Sequence, residues 1–128
     1  MQGKGHLYEY AVIRIVPMVE REEFMNVGVV LYCADKKYLD VLYRLDADRL
    51  LKLSGKLDMA DLQCYMDAFR NICRGSNDAG PVARLPVPER FRWLTATRST
   101  VVQTSKVHPG FCEDPAVTLN DLFAQLVL

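Results

Sequence analysis

Three segments in the first third of the chain show the apolar runs and period-two alternation that predict β-strands. Residues 7–16 are apolar on both faces and rich in aromatic and β-branched side chains, which favours a central strand. Pro17 ends this strand because proline cannot donate to a sheet ladder. Residues 26–33 and 38–45 follow, and Gly28 inside the first of them indicates a bulge or a close backbone approach. The three segments together predict an antiparallel meander.

Spacings of three and four replace this alternation after residue 45 and predict helices. Asp46 can cap a short helix that runs through Leu53. Asp58 can cap a longer helix that runs to about Cys73, and Gly75 can end it. The longer helix carries one apolar stripe, which predicts a face buried in the core: Met59, Leu62, Met66, Phe69 and Ile72.

The second half of the chain begins with glycines and prolines over residues 75–88, which indicate a long loop. Pro88 can open a helical turn, and residues 99–104 have the β-branched content of a short fourth strand. A last helix begins with Asp114 as N-cap and Pro115 at the first helical position. Its apolar face should dock against the meander: Leu119, Leu122, Phe123, Leu126 and Val127.

Length and composition agree with one globular domain that covers residues 1–128. The chain is 50% hydrophobic and 25% charged, as in ordinary soluble proteins. With the pattern above, this predicts an α+β fold, in which a three-stranded antiparallel meander plus a short fourth strand is covered on one side by helices, including the C-terminal helix. Sixteen basic and sixteen acidic residues give a net charge of zero. This balance argues against nonspecific nucleic-acid binding by the whole surface.

Other features of the sequence bear on the compartment and on metals. No run of eighteen apolar residues predicts a membrane span, and the first ten residues lack the apolar stretch of a secretory signal, so we expect a cytoplasmic protein. The four cysteines lie in apolar or helical contexts without a CxxC pair, which favours reduced thiols. His108 and Cys112 supply two zinc ligands without a second pair nearby, so we expect neither a metal nor a cofactor.

The stretch most suited to chemistry covers residues 90–115 and holds the only tryptophan, Trp93, together with His108 and Cys112. Between positions 84 and 106, five basic residues face one acid, a local net charge of +4: Arg84, Arg90, Arg92, Arg98 and Lys106 against Glu89. A guanidinium suits phosphates and carboxylates because its fork donates two parallel hydrogen bonds. The start of the last helix could add backbone N–H groups, so these parts could build an anion pocket.

Structural roles compete with ligand binding at several positions. Arg14 lies in an otherwise apolar strand, where a structural ion pair with a carboxylate is favoured: Glu9, Glu22 or Glu23. Arg98 could likewise pair with a carboxylate such as Asp114 or Glu23. Asn26 could position a ligand, although bonding to local backbone is more common at a strand entry. Trp93 could stack on a base or a partner, although burial with its N–H bonded is favoured.

A cysteine nucleophile is a further hypothesis. The thiol of Cys112 would have a lowered pKa if a turn at Pro109 and Gly110 brought His108 beside it, near a helix N-terminus. Neighbouring acids oppose a thiolate, so no catalytic residue is assigned. The candidates for anion or partner binding are Arg14, Asn26, Arg92, Trp93, Arg98, Lys106, His108 and Cys112.

Four ordered segments carry a resemblance to a known family: YAVIR from residue 10, EFMNVGVVL from residue 23, FRWLTATRSTVVQTS from residue 91 and HPGFCEDP from residue 108. In these segments the chain resembles the bacterial family catalogued as domain of unknown function 3037. The resemblance covers nearly the whole chain. It implies a small cytoplasmic bacterial domain, often encoded beside a HipA-like kinase, and it implies no catalytic residues.

Two hypotheses from different classes follow. The preferred one is a non-enzymatic interaction or regulatory module that binds another protein through residues 84–106, with the HipA-like kinase as a possible partner. The alternative is a domain that binds phosphate, nucleotides or nucleic acid, or an enzyme acting on them, through a pocket rich in arginine. If Arg92 and Trp93 proved to be buried, they would be lost as anchors for a protein partner.

Overall fold

A long central strand organises the fold. The computed structural model describes residues 5–98 and 100–128, and in them β1, His6–Ile15, lies in the middle of an antiparallel sheet. One edge of β1 pairs with β2, Met25–Cys33, which pairs in turn with β3, Tyr38–Tyr43. The predicted meander is therefore confirmed.

Two short strands share the opposite edge of β1. The strand β4, Val102–Thr104, pairs with residues 13–15. The strand β5, His108–Cys112, pairs with residues 6–10. β4 confirms the predicted short fourth strand, although Ser99, where that prediction began, lies outside the described residues.

The strand β5 was not predicted, because Pro109 and Gly110 indicate a turn. Proline is tolerated here because β5 is an edge strand, where one row of N–H groups points away from the sheet. Gly110 lies opposite Tyr8, and a Cβ at this position would come within 2.5 Å of the Tyr8 hydroxyl. The tyrosine ring therefore covers the glycine and compensates for its missing side chain.

Four helices accompany the sheet in the described part of the chain: α1, Ala47–Leu53; α2, Met59–Arg74; α3, Val87–Leu94; and α4, Pro115–Leu126. The three predicted N-caps each accept a backbone N–H bond at 3.0–3.2 Å: Asp46, Asp58 and Asp114. Gly75 ends α2 in the left-handed region, with a φ of 66°, as predicted. None of the described helices is long and apolar enough to cross a membrane.

Helices cover both faces of the sheet, and not one face as the sequence suggested. On one face, α2 and α3 form a core with side chains such as Ile13 and Val30. On the other face, α4 packs with Leu119 against Val29 and Leu31. The reason lies in β2, which is buried along almost its whole length, so that both of its faces need cover.

Gly28 lies beside a bulge in β2, as the sequence indicated. It pairs with Ile13, whereas the next pair joins Arg14 to Asn26, so that Val27 is the extra residue. A Cβ on Gly28 would lie 2.7 Å from the carbonyl oxygen of Leu42. The bulge thus turns the Asn26 side chain towards α4. The close approach of the Leu42 carbonyl requires a glycine at position 28.

Candidate functional site

The eight candidate residues from the sequence lie in three separate regions. The first region is the end of α3, where Trp93 is 43% exposed, so the expectation of a buried tryptophan is wrong. The guanidinium of Arg98 stacks on the Trp93 ring at 4.5 Å and donates to the carbonyl oxygens of Trp93 and Leu94 at 2.6 and 3.2 Å. Arg98 therefore caps the last turn of α3 and holds the tryptophan ring. Arg92 is exposed beside them.

The second region lies under the end of α4, on the opposite face of the sheet. Asn26 donates from Nδ2 to the carbonyl oxygen of Leu126 at 3.1 Å. The guanidinium of Arg14 lies 4.3 Å from the centre of the Phe24 ring. Within residues 5–98 and 100–128, Arg14 forms no ion pair with a carboxylate, so the expected partners Glu9, Glu22 and Glu23 were wrong. A cation–π contact takes the place of the ion pair.

The third region is β5 and its approach. His108 lies with its ring 5.4 Å from that of Tyr10, and Lys106 is exposed in the connection from β4. His108 and Cys112 are the two ends of an extended strand, which separates their Cα atoms by about 13 Å. The turn that was to bring them together is therefore absent. Burial, and contact with Cys33, raise the pKa of the Cys112 thiol, which opposes a nucleophilic thiolate.

Thiol reactivity tests this arrangement. Cys64 is exposed, whereas Cys33, Cys73 and Cys112 are buried, and burial raises the pKa of Cys73 as well. We expect iodoacetamide at neutral pH to label the Cys64 thiol rapidly and the three buried thiols only after unfolding. The thiolate is the reactive form, and burial disfavours it. Mass spectrometry of tryptic peptides would identify the site. A Cys64→Ser variant should lose the rapid label, and rapid labelling of Cys112 would contradict the structure.

A surface groove runs along the exposed flank of α2 and was not predicted. Four adjoining recesses form it, with volumes of about 450, 270, 260 and 70 Å³. Successive recesses share lining residues, so each adjoins the next: Pro17 and Lys56, then Leu62 and Val101, then Tyr65. We call this surface the α2 groove.

The two ends of the α2 groove differ in chemistry. At one end Trp93, Tyr65 and Ala68 form a lining that is almost entirely apolar. At the other end, near Lys52 and Lys56, polar and apolar surface are nearly balanced. The groove therefore offers apolar contacts at one end and charged contacts at the other.

A second stripe on α2 could have indicated the groove from the sequence. Asp61, Tyr65 and Ala68 recur at spacings of four and three, beside the stripe that packs in the core, and they meet that stripe at Ile72. The apolar arc of α2 is thus wider than one core face requires. The opposite wall could not be deduced, because Pro17 and Val101 are distant in sequence and meet only through the pairing of β1 with β4.

The family model described as "Protein of unknown function (DUF3037)" matches residues 10–127, from within β1 to the end of α4. The chain belongs to this family. The match includes both walls of the α2 groove, and the family description names no activity. The chain matches no curated protein and no solved structure. Function must therefore be argued from the geometry.

Proposed function

We propose that this domain is a non-enzymatic protein-interaction module that binds a partner protein through the α2 groove. The observation that carries the proposal is the exposed Trp93 at the apolar end of the row of recesses that form the groove. Tryptophan dominates the energy of many protein interfaces because it combines a large apolar surface with a polar N–H. Met18 and Val101, which are also exposed, extend the apolar surface along the groove.

The environment of Trp93 favours binding because the ring is already held in place. Arg98 stacks on it while the same guanidinium is anchored to the backbone of α3. A side chain that is ordered before binding loses less conformational entropy when a partner docks. Arg98 thus supports the interaction by positioning the tryptophan.

The edges of the sheet offer less for a partner. On β3, the backbone N–H of Val41 donates to the Asp40 side chain at 2.8 Å, which occupies a group that strand addition would need. On β5, Pro109 has no N–H to offer. Strand pairing with another protein is therefore disfavoured at these positions of the two edges. The α2 groove is the more favourable surface for a partner.

The alternative, a site for phosphate or nucleic acid, has weaker support. It needs several cations to converge, whereas Arg14 and Arg98 lie on opposite faces of the sheet, and Arg98 already donates to backbone carbonyls. This alternative predicts that phosphate, nucleotides or single-stranded nucleic acid raise the melting temperature, and that Arg98→Ala removes the effect.

The HipA-like kinase that the family resemblance implies is the first partner to test. We expect the purified domain and kinase to bind with a micromolar or lower Kd in isothermal titration calorimetry. Trp93→Ala should raise the Kd at least about tenfold, because loss of a tryptophan hot spot costs about 2 kcal/mol or more and about 1.4 kcal/mol corresponds to tenfold. Phe111→Ala is the matched control, because Phe111 is an exposed aromatic residue outside the groove.

Each outcome of this titration has a distinct meaning. An unchanged Kd for Trp93→Ala, or equal effects of the two variants, would place the kinase outside the α2 groove. No binding of the kinase would exclude that partner. The peptide selection described below tests the groove without assuming a partner.

A further inference from the structure

We propose that the α2 groove binds a peptide segment that has large apolar residues at one end and acidic residues at the other. This inference rests on the proposed function and adds the chemistry of the partner. The apolar residues would lie against Trp93 and Tyr65. The acidic residues would lie in the cleft of about 450 Å³ at the opposite end of the groove, which we call the basic cleft.

The basic cleft has an excess of positive charge. Arg21, Lys52 and Lys56 line it, with Glu23 as its one acidic residue. Arg21 donates from Nε to Glu23 at 2.7 Å, so these two charges largely neutralise each other. In the described ranges, neither lysine lies within ion-pair distance of a carboxylate. Two ammonium groups are thus available to an acidic ligand.

Two acidic side chains of the neighbouring recess, Asp58 and Asp61, lie outside ion-pair distance of these lysines. Asp58 accepts the backbone N–H of Asp61 at 3.1 Å and serves as the N-cap of α2. Asp61 is exposed in the middle of the groove, where it lines the second and third recesses. A carboxylate of a ligand would be repelled at Asp61 and attracted at the two lysines. Acidic residues are therefore favoured at one end of the bound segment and disfavoured at its centre.

The charges of the basic cleft should determine the orientation of the bound peptide more than its affinity. Ion pairs between exposed side chains contribute little each, and salt screens them. The apolar end, where Trp93 is partly exposed, would provide most of the binding energy. The lysines would favour one direction of the segment and speed its association.

Selection from a random peptide library tests this inference. From residue 58 to residue 72, α2 is about 21 Å long, and the basic cleft lies beyond residue 58, so the groove exceeds this length. Peptides of about 16 residues, which reach about 50 Å when extended, are long enough to span it. The native domain should enrich peptides that carry a cluster of large apolar residues and, towards one end, several aspartates or glutamates. The Trp93→Ala domain should lose this enrichment.

The decisive variant reverses the charge of the basic cleft. A Lys52→Glu and Lys56→Glu double variant should bind a selected peptide about tenfold more weakly and should enrich basic residues in place of acidic ones. Lys36→Glu with Lys37→Glu is the matched control, because both lysines are exposed and lie outside the groove, and the two substitutions change the net charge equally. Added salt should weaken binding to the native domain and to this control.

Failure of the inference is distinguishable from failure of the proposed function. The inference would be overturned if the selected peptides were apolar without acidic residues and the Lys52→Glu and Lys56→Glu double variant bound them as the native domain does. The groove would then still be a binding surface. Equal weakening by the control reversal would also overturn it, because overall charge would then be the cause. If the native domain enriched no peptide more strongly than the Trp93→Ala domain does, the proposed function itself would be wrong.

Discussion

Replacing Phe91 with alanine should lower the free energy of unfolding by about 3–5 kcal/mol. Phe91 is 1% exposed and belongs to the core between the sheet and the helices α2 and α3. Its ring stacks on Tyr32 with 5.3 Å between the ring centres. Alanine would leave a cavity at the contact between α3 and β2. Urea denaturation monitored by circular dichroism would measure the change.

Phe111→Ala provides the matched control for this substitution. The Phe111 side chain is 74% exposed on the edge strand β5, so its removal should change the free energy of unfolding by well under 1 kcal/mol. Because a domain of this size is typically stable by only about 5–15 kcal/mol, the Phe91 variant would lose a large share of its stability. Similar losses for the two variants would contradict the described packing of α3.

Leu119→Ala should destabilise the other face of the sheet by about 2–5 kcal/mol. Leu119 is 1% exposed and packs from α4 against Val29 and Leu31 of β2. The loss of its apolar contacts would expose a surface of the sheet that no other described helix covers. Thermal and urea unfolding would both report the change.

Val117→Ala, on the same helix, controls for helix propensity. Val117 is 56% exposed, and alanine favours helix slightly more than valine does. We therefore expect no loss of stability from this variant. A cost below about 1 kcal/mol for Leu119→Ala would mean that α4 docks only weakly. The covering of both faces would then need revision.

A sheet covered on both faces also determines where a partner can bind. The core residues of α2 and α4 pack against the sheet. The remaining apolar surface therefore lies on the flanks of the helices and at the sheet edges. Trp93 and Val101 lie on such a flank, along α2. The surface that we propose for a partner thus lies where the layers meet.

Of the eight candidate residues from the sequence, one lines the α2 groove: Trp93. Trp93 and Arg92 are exposed, as an anchor for a partner requires, and Trp93 lines the groove. The sequence placed Lys106 and His108 near them because they are close along the chain. His108 instead lies against Tyr10 on the α4 face of the sheet, whereas Trp93 lies beside α2 on the other face.

The sequence by itself determined most of the elements and most of their ends. The three long strands, the capping aspartates and the stop at Gly75 all follow from local preferences of neighbouring residues, and each is confirmed. The α+β class follows from the same local pattern. These features need no knowledge of which distant segments meet.

Only the tertiary structure decided that β5 forms and where α4 and the α2 groove lie. The strand β5 exists because β1 leaves an open edge, which outweighs the turn preference of Pro109 and Gly110. α4 lies opposite α2 because both faces of β2 are apolar. The α2 groove arises where Pro17 and Val101 are brought beside α2. Each of these outcomes depends on burying apolar surface between segments that are far apart in sequence, and local pattern does not specify which segments those are.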